Sequence, residues 1–181
     1  DLQLWLSWDR GDPSLQARFE GHDLLVSGQD SSWQVPLDRV ALQAHLLHSE
    51  NRWSVLVSDL QVEQDSVELT LPRLQFDQWD NALRIRASDV PLEPINSILS
   101  GQGAVPEALR EVLTALHPRG QLPSLQVSIG NLEHPTDNWQ VDANFAALAV
   151  DSFNGAPGIT SATGYTQITP GSGFVVLDSQ L

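Results

Sequence analysis

Apolar and polar residues alternate one by one along most of this chain. In "LQLWLSW" Leu2, Leu4, Leu6 and Trp8 alternate with Gln3, Trp5 and Ser7. "LQARF" places Leu15, Ala17 and Phe19 on one side before Gly21, and "DLLVSG" forms a further short run closed by Gly28 and the polar "QDSS". The pattern resumes at Trp33. Val40, Leu42, Ala44 and Leu46 share one side, followed by Trp53, Val55 and Val57, then Val67, Leu69 and Leu71, then Leu83 and Ile85 opposite Arg84 and Arg86. Period-2 alternation bounded by Gly, Pro and Asp turns predicts half-buried antiparallel strands.

The texture changes at Val90. "VPLEPINSILSGQGAVP" carries three prolines and two glycines and predicts an irregular or single-turn link. One short helix is predicted over 106–117. Pro106 suits the first helical position and Glu107 the positive end of the dipole, while Leu109, Val112, Leu113 and Leu116 form an i, i+3, i+4, i+7 stripe. His117 falls in the last turn, Pro118 stops propagation, and Gly120 is available for the reversal. Strands return with Leu125, Val127 and Ile129, then with Trp139, Val141, Ala143, Phe145 and Ala147. "SATGYTQI" and "GFVVLDS", joined by the turn "TPGSG", complete roughly ten strands by the same period rule.

The predicted class is mainly β: an antiparallel sheet with one short helix near residues 106–117. A helix of about a dozen residues is some 18 Å long and 10 Å wide. Ten strands at about 4.8 Å spacing and some 20 Å long make a sheet near 48 by 20 Å, of which that helix covers about a fifth. Each uncovered Leu or Val forgoes roughly 1.5–3 kcal/mol of burial. The remaining apolar face therefore packs on a second sheet as a sandwich, closes as a barrel, or curls into a groove that holds something apolar. Alternation is common to all three.

Composition narrows the partners. The 181 residues suffice for one domain, and the chain carries 23 acids against nine bases, for a net charge of −14. All nine bases are Arg, so the surface disfavours nucleic acid and offers no polybasic patch to anionic lipid. The absence of Cys removes disulfides, thiolate metal sites and Cys catalysis. No apolar run approaches the roughly 18 residues of a membrane-spanning helix, and since no basic stretch leads into an apolar one, no secretory signal is expected within these residues. The chain lacks Met and begins at Asp1, so it is expected to be a fragment of a longer product, with any anchor outside it.

Candidate chemistry is sparse. His45 and His48 are three residues apart on a strand, which puts their rings on opposite faces rather than on one metal. That pair is expected at a surface or edge, His117 at the helix C-terminus and His134 in a loop, and His22 is the fifth histidine. No serine sits in G-x-S-x-G, and "PGITSATG" has no following Lys to cradle phosphate. Asp59, Glu63, Asp65 and Glu68 are better placed on a solvent face than as a glycosidase pair, and they lack calcium-loop spacing. No catalytic residue, metal or cofactor is expected. The tryptophans Trp5, Trp8, Trp33, Trp53, Trp79 and Trp139 are core or strand-end fillers in the main. Trp5 is the exception, on the polar side of its strand. A carbohydrate-binding module using Trp5 or Trp79 is the weaker alternative to a binding or structural β-segment.

"DVPLEPINSIL", "LTALHPRGQLPSLQV" and "NWQVDANFAALAVDSFNGAPGITSATGYTQI" resemble YhdP-type proteins, AsmA-like bacterial envelope chains related more loosely to TamB. Pro118, Arg119, Gly120, the run Asn138 to Leu148, Pro157, Gly158 and Gly164 match the family's order of helix end, strand, Pro-Gly segment and terminal hairpin. The resemblance spans about residues 89–180, whereas 1–89 show only a strand pattern. It implies a curled, elongated antiparallel sheet, with 1–181 a single domain or a piece of a longer repeating β-groove protein. It also implies a periplasmic location, an inner-membrane anchor outside these residues, and neighbouring segments of the full-length chain as partners. Phospholipids or other acyl lipids would then be conducted between the inner and outer membranes without enzymatic chemistry. Candidate lining residues are Leu42, Leu46, Val55, Val57, Leu69, Leu83, Ile85, Val127, Ile129, Val141 and Phe145. The alternative is a structural or protein-interaction β-sandwich segment of the envelope that conducts no lipid.

Overall fold

The structure, a computed structural model, describes residues 1–9, 12–27, 34–49, 51–100 and 107–178. Gly11, Gly28, the "QDSS" run, Trp33 and Pro106 lie outside them, as do the side chains of Trp8, Glu107, Leu109 and Val112. Ten strands form one open sheet in the order of the sequence, β1 to β10, every neighbour antiparallel. They are β1 (Leu2–Asp9), β2 (Asp12–Ser27), β3 (Gln34–Ser49), β4 (Arg52–Gln64), β5 (Val67–Trp79) and β6 (Ala82–Pro91), then β7 (Arg119–Ile129), β8 (Trp139–Val150), β9 (Ile159–Thr169) and β10 (Ser172–Asp178). Helices α1 (Leu92–Ser100) and α2 (Glu107–Leu116) interrupt the meander between β6 and β7. Of the three ways to dispose of the apolar face, the chain takes neither sandwich nor barrel.

Two expectations change. The segments around Phe19 and Leu24 belong to one strand, β2, and β5 runs from Val67 through Pro72 to Trp79. Strands of 16 residues, such as β2 and β3, reach about 50 Å, so the apolar face exceeds the one anticipated. The expected helix is present as α2, and the link read as irregular contains α1. Pro94 is its third residue, inside the first turn, where a missing N–H costs no helical hydrogen bond. Ser97 Oγ donates to the Glu93 carbonyl at 2.9 Å, and Ile95 and Ile98, one turn apart, pack on the sheet beside Leu69, Leu71, Ala87 and Val90. It is α1 that lies against β5 and β7, whereas α2 packs on α1.

The C-terminus of α2 is tied down by several groups. The His117 N–H donates to the Leu113 carbonyl at 3.0 Å with His117 in the left-handed region, at φ 40°. The Asp151 N–H caps the Leu116 carbonyl at 2.8 Å, and the Asp151 carboxylate meets Arg119 at 2.8 Å and His117 Nδ1 at 3.3 Å. Gly120 turns at φ 109°, and a Cβ there would stand 2.6 Å from the Ala147 carbonyl oxygen.

A transverse crease crosses the four central strands. Ser58 pairs with Arg73 and Leu60 with Leu71, so Asp59 lies opposite Pro72; likewise Asp89 lies opposite Pro123, between the pairs Ser88–Ser124 and Val90–Leu122. Asp59 and Asp89 have φ of 52° and 53°, a conformation Asp tolerates better than most residues. The prolines have no N–H to give the ladder, and central strands admit them only at such irregularities. Leu71 and Leu74, Ala87 and Val90, and Leu122 and Leu125 are each three residues apart yet share one cluster. Side-chain alternation therefore reverses at the crease on adjacent strands together, and the same face stays apolar on both sides of it.

The opposite face is polar and anchored by three charged centres, two carboxylates and one guanidinium. Asp77, fully buried, accepts from Arg52 (2.9 Å), Arg86 (2.5 Å), Ser54 (2.8 Å) and the Gln75 amide (3.1 and 3.2 Å), joining β4, β5 and β6. Burial alone would raise this carboxyl, but the bonds from Arg86, Arg52, Ser54 and Gln75 hold it well below the usual range. Asp142 takes Tyr165 O–H and Gln167 at 2.7 Å and Gln140 at 2.8 Å. Burial opposes its ionisation too, and those three donors outweigh it and lower its pKa. Arg39 spans Glu20 on β2 and Glu63 on β4, each at 2.9 Å.

Asp77→Asn is expected to lower stability at neutral pH by about 3 kcal/mol, because both guanidinium groups lose their counter-charge. A depressed carboxyl stabilises above its unfolded pKa of about 3.9 and loses that contribution as pH falls below it. Urea unfolding between neutral and acid pH should therefore show a shallower acid-side loss in the variant than in the parent chain. Gly164→Ala tests the β9–β10 seam. Its Cβ would stand 2.0 Å from the Val176 carbonyl oxygen and 2.8 Å from Phe145 Cζ, so a loss of about 1–3 kcal/mol is expected by thermal unfolding, with hydrogen exchange quickening first in β10.

Candidate functional site: the apolar face

The strand register turns one-dimensional alternation into rows that cross the whole sheet. One row runs Leu6, Leu15, Leu46, Val55, Phe76, Ile85, Val127, Val141 and Ile168, from β1 to β9, and ends at Gly173 on β10. The next runs Leu4, Ala17, Ala44, Val57, Leu74, Ala87, Leu125, Ala143, Thr166 and Val175. Thr166 is the one polar side chain in either row, and its hydroxyl donates to the Phe174 carbonyl at 3.1 Å. At about 4.8 Å per strand such a row extends some 43 Å. The row between them faces the other way: Trp5, Gln16, His45, Leu56, Gln75, Arg86, Gln126, Asp142, Gln167 and Phe174.

All eleven lining candidates fall on the apolar face. Leu46, Val55, Ile85, Val127 and Val141 belong to the first row and Val57 to the second. Leu42 pairs with Phe19, Leu83 with Ile129, and Phe145 stands opposite Gly164. Leu69 lies beyond the crease, within the cluster that Ile95 and Ile98 of α1 pack against. Val57, Leu69 and Phe145 are buried and the other eight half-buried. Exposure rises toward the sheet edges, with Leu4 57% and Val175 60% exposed.

Sequence patterning missed Leu6, Leu15, Phe76 and Ile168 as members of the same row. The signal that finds them is cross-strand pairing, which alternation within one strand does not carry.

The described depressions lie on the polar side. One of about 640 Å³ is lined mainly by polar residues such as Arg73, Gln75, Arg86, Gln126, Asp142 and Tyr165, with Ala87 and Leu125 also at its wall. Another of about 650 Å³ lies beside Trp5. On the apolar face α1 packs against part of the sheet, on β5 and β7.

The remaining candidates are placed apart. His45 is hydrogen-bonded to Ser14 at 3.1 Å on the polar face, and His48 stacks on Trp53 across the sheet, with ring centroids 4.1 Å apart. His22 is exposed beside Glu20, and His134 closes a loop turn through its carbonyl. Asp59 forms the crease and accepts from Gln43, Glu63 pairs with Arg39, and the Asp65 N–H donates to Asp38 in a turn. Glu68 faces Glu63 across the ladder. Arg84 lies over the Trp79 ring, 4.9 Å from its centroid. No group of three His, Cys, Asp or Glu side chains among the described residues is arranged to hold a metal, and no described helix is long and apolar enough to cross a membrane.

Comparison with known proteins agrees with this architecture at the level of the family. Searches of curated proteins and of solved structures return no match. The family model described as YhdP protein matches residues 1–180, and so takes in the strand-rich first half along with the second. With that match over nearly its whole length, the chain belongs to the YhdP family of AsmA-like envelope proteins.

Proposed function

We propose that the apolar face carries the acyl chains of phospholipids through the periplasm, between the inner and outer membranes. The observation that supports this most directly is the pair of apolar rows that traverse the sheet in unbroken register, with no second sheet opposite them. Burial of a methylene is worth about 0.8 kcal/mol, and a saturated chain needs no directional contacts, so a smooth Leu/Val/Ile surface suits it. Polar headgroups would stay in water beyond the rows. Transport on this reading is passive guidance and requires no catalytic residue.

The two edge strands fit the same role. The apolar rows run out to β1 and β10, each of which has one ladder side unpaired within the sheet. We take neighbouring segments of the full-length protein to extend the sheet there and lengthen the path, with an inner-membrane anchor elsewhere in that protein. The structural alternative, a spacer that conducts no lipid, would leave the same rows as mere interface.

Photo-crosslinking distinguishes the two. With a benzophenone amino acid at Leu46, Ile85 or Val127, irradiated cells should yield phospholipid adducts detectable by mass spectrometry, while His45, Arg86 and Gln126 on the other face should yield few. Protein adducts on the apolar face without lipid, or lipid captured equally on both faces, would defeat the proposal. An Ile85→Asp change should reduce capture at Val127 several-fold, since it places a carboxylate in the middle of the row.

A further inference from the structure

Trp5 is unexplained by the apolar face, because it points away from it. Its neighbours on the same side of β1 are Gln3 and Ser7, and it is 53% exposed. It borders a depression of about 650 Å³, within the size range of small-ligand sites. Its lining mixes polar side chains, Gln16 and Arg18 from β2, Gln43 and His45 from β3, and Ser7 and Ser58, with the apolar Ala17, Ala44 and Leu56. Among the described residues the Gln16 and Arg18 side chains make no hydrogen bond or ion pair. His45 is held in place by Ser14 at 3.1 Å, and the Gln43 amide donates to Asp59 at 3.3 Å, leaving its carbonyl oxygen to accept.

We infer that this depression binds a pyranose saccharide, with the sugar ring stacked on Trp5 and its hydroxyls bonded to Gln16, Arg18, Gln43 and Ser58. An indole offers a flat apolar plate with a polar N–H at its edge, and the C–H face of a pyranose matches that plate. The amides and hydroxyls around it both donate and accept, as a hydroxyl-rich ligand requires. A greasy ligand would leave Gln16 and Arg18 without partners, and a bare anion would make no use of the indole. The site lies on the face opposite the lipid rows, so either proposal can fail without the other.

Nuclear magnetic resonance of the ¹⁵N-labelled chain tests it with maltotriose, chitotriose and mannotriose, and glycerol as an acyclic polyol. At least one trisaccharide should shift the Trp5 indole N–H and the Gln16 amide signals saturably, with a dissociation constant of about 1 mM. Trp5→Ala should weaken that binding at least about tenfold, equivalent to the loss of one well-formed anchor. Gln16→Ala should weaken it less, with the Ala143 and Phe145 signals unmoved in both variants as proof of an intact sheet. Absence of a saturable shift with all three trisaccharides, an equal response to glycerol, or undiminished binding by Trp5→Ala would each overturn the inference.

Discussion

Register is the constraint on which the rest of this molecule depends. A sheet with one apolar and one polar face has the correct faces only if every strand keeps its pairing, because a slip of one residue exchanges them. In a sandwich the opposing sheet would enforce that choice by packing. Among the described residues no second sheet opposes this one, so the polar face has to specify register itself. It does so through charges that reach across strands. Asp77 binds side chains from β4 and β6 as well as its own strand, Arg39 bridges β2 to β4, and Asp142 joins β8 to β9. Moving any of these strands by one position would turn the carboxylate or guanidinium to the apolar side and strand its partners.

The crease shows how the same constraint accommodates a bend. Asp59, Pro72, Asp89 and Pro123 stand side by side on β4 to β7. A face reversal on one strand alone would put Leu60 or Val90 into water, but reversal on four adjacent strands at one level leaves the apolar surface continuous. The cluster of Leu69, Leu71, Ala87 and Val90 forms just beyond this line, and α1 sits on it. Helix, crease and the best-buried part of the apolar face are therefore one assembly. The helix stabilises the bend and covers little else.

Much of this was legible from the chain. Period-2 alternation is a local property, so the class, the antiparallel arrangement and the facing of residues such as Ile85 and Val127 followed from it. The stripe through Leu113 and Leu116 likewise marked α2. What alternation did not reveal lay around the prolines. β5 continues past Pro72 and β7 past Pro123 because a left-handed Asp lies opposite each, which no pattern within one strand reveals. Pro94 suggested an irregular link, but it falls where a helix needs no N–H. The importance of Asp77 was also hidden, since Arg52 and Ser54 lie 25 and 23 residues away in sequence and only the fold brings them to it. Trp5 was the converse case. Its place on the polar side was evident from alternation, but the depression beside it is made by three other strands.

The sheet edges carry the last part of the physics. An edge strand that exposes unpaired amides and apolar side chains invites further strands, and natural proteins commonly guard against this with lysine, proline or bulges. Neither β1 nor β10 has such a guard after its turn: β10 reads "SGFVVLD", exposed throughout, and the chain has no Lys anywhere. What restrains indiscriminate pairing is the net charge of −14, which repels copies of the chain at long range but is screened beyond about 8 Å at physiological ionic strength. Face and edges thus share one property: within the described sheet the face leaves apolar side chains exposed and the edge strands leave backbone hydrogen-bonding groups unpaired.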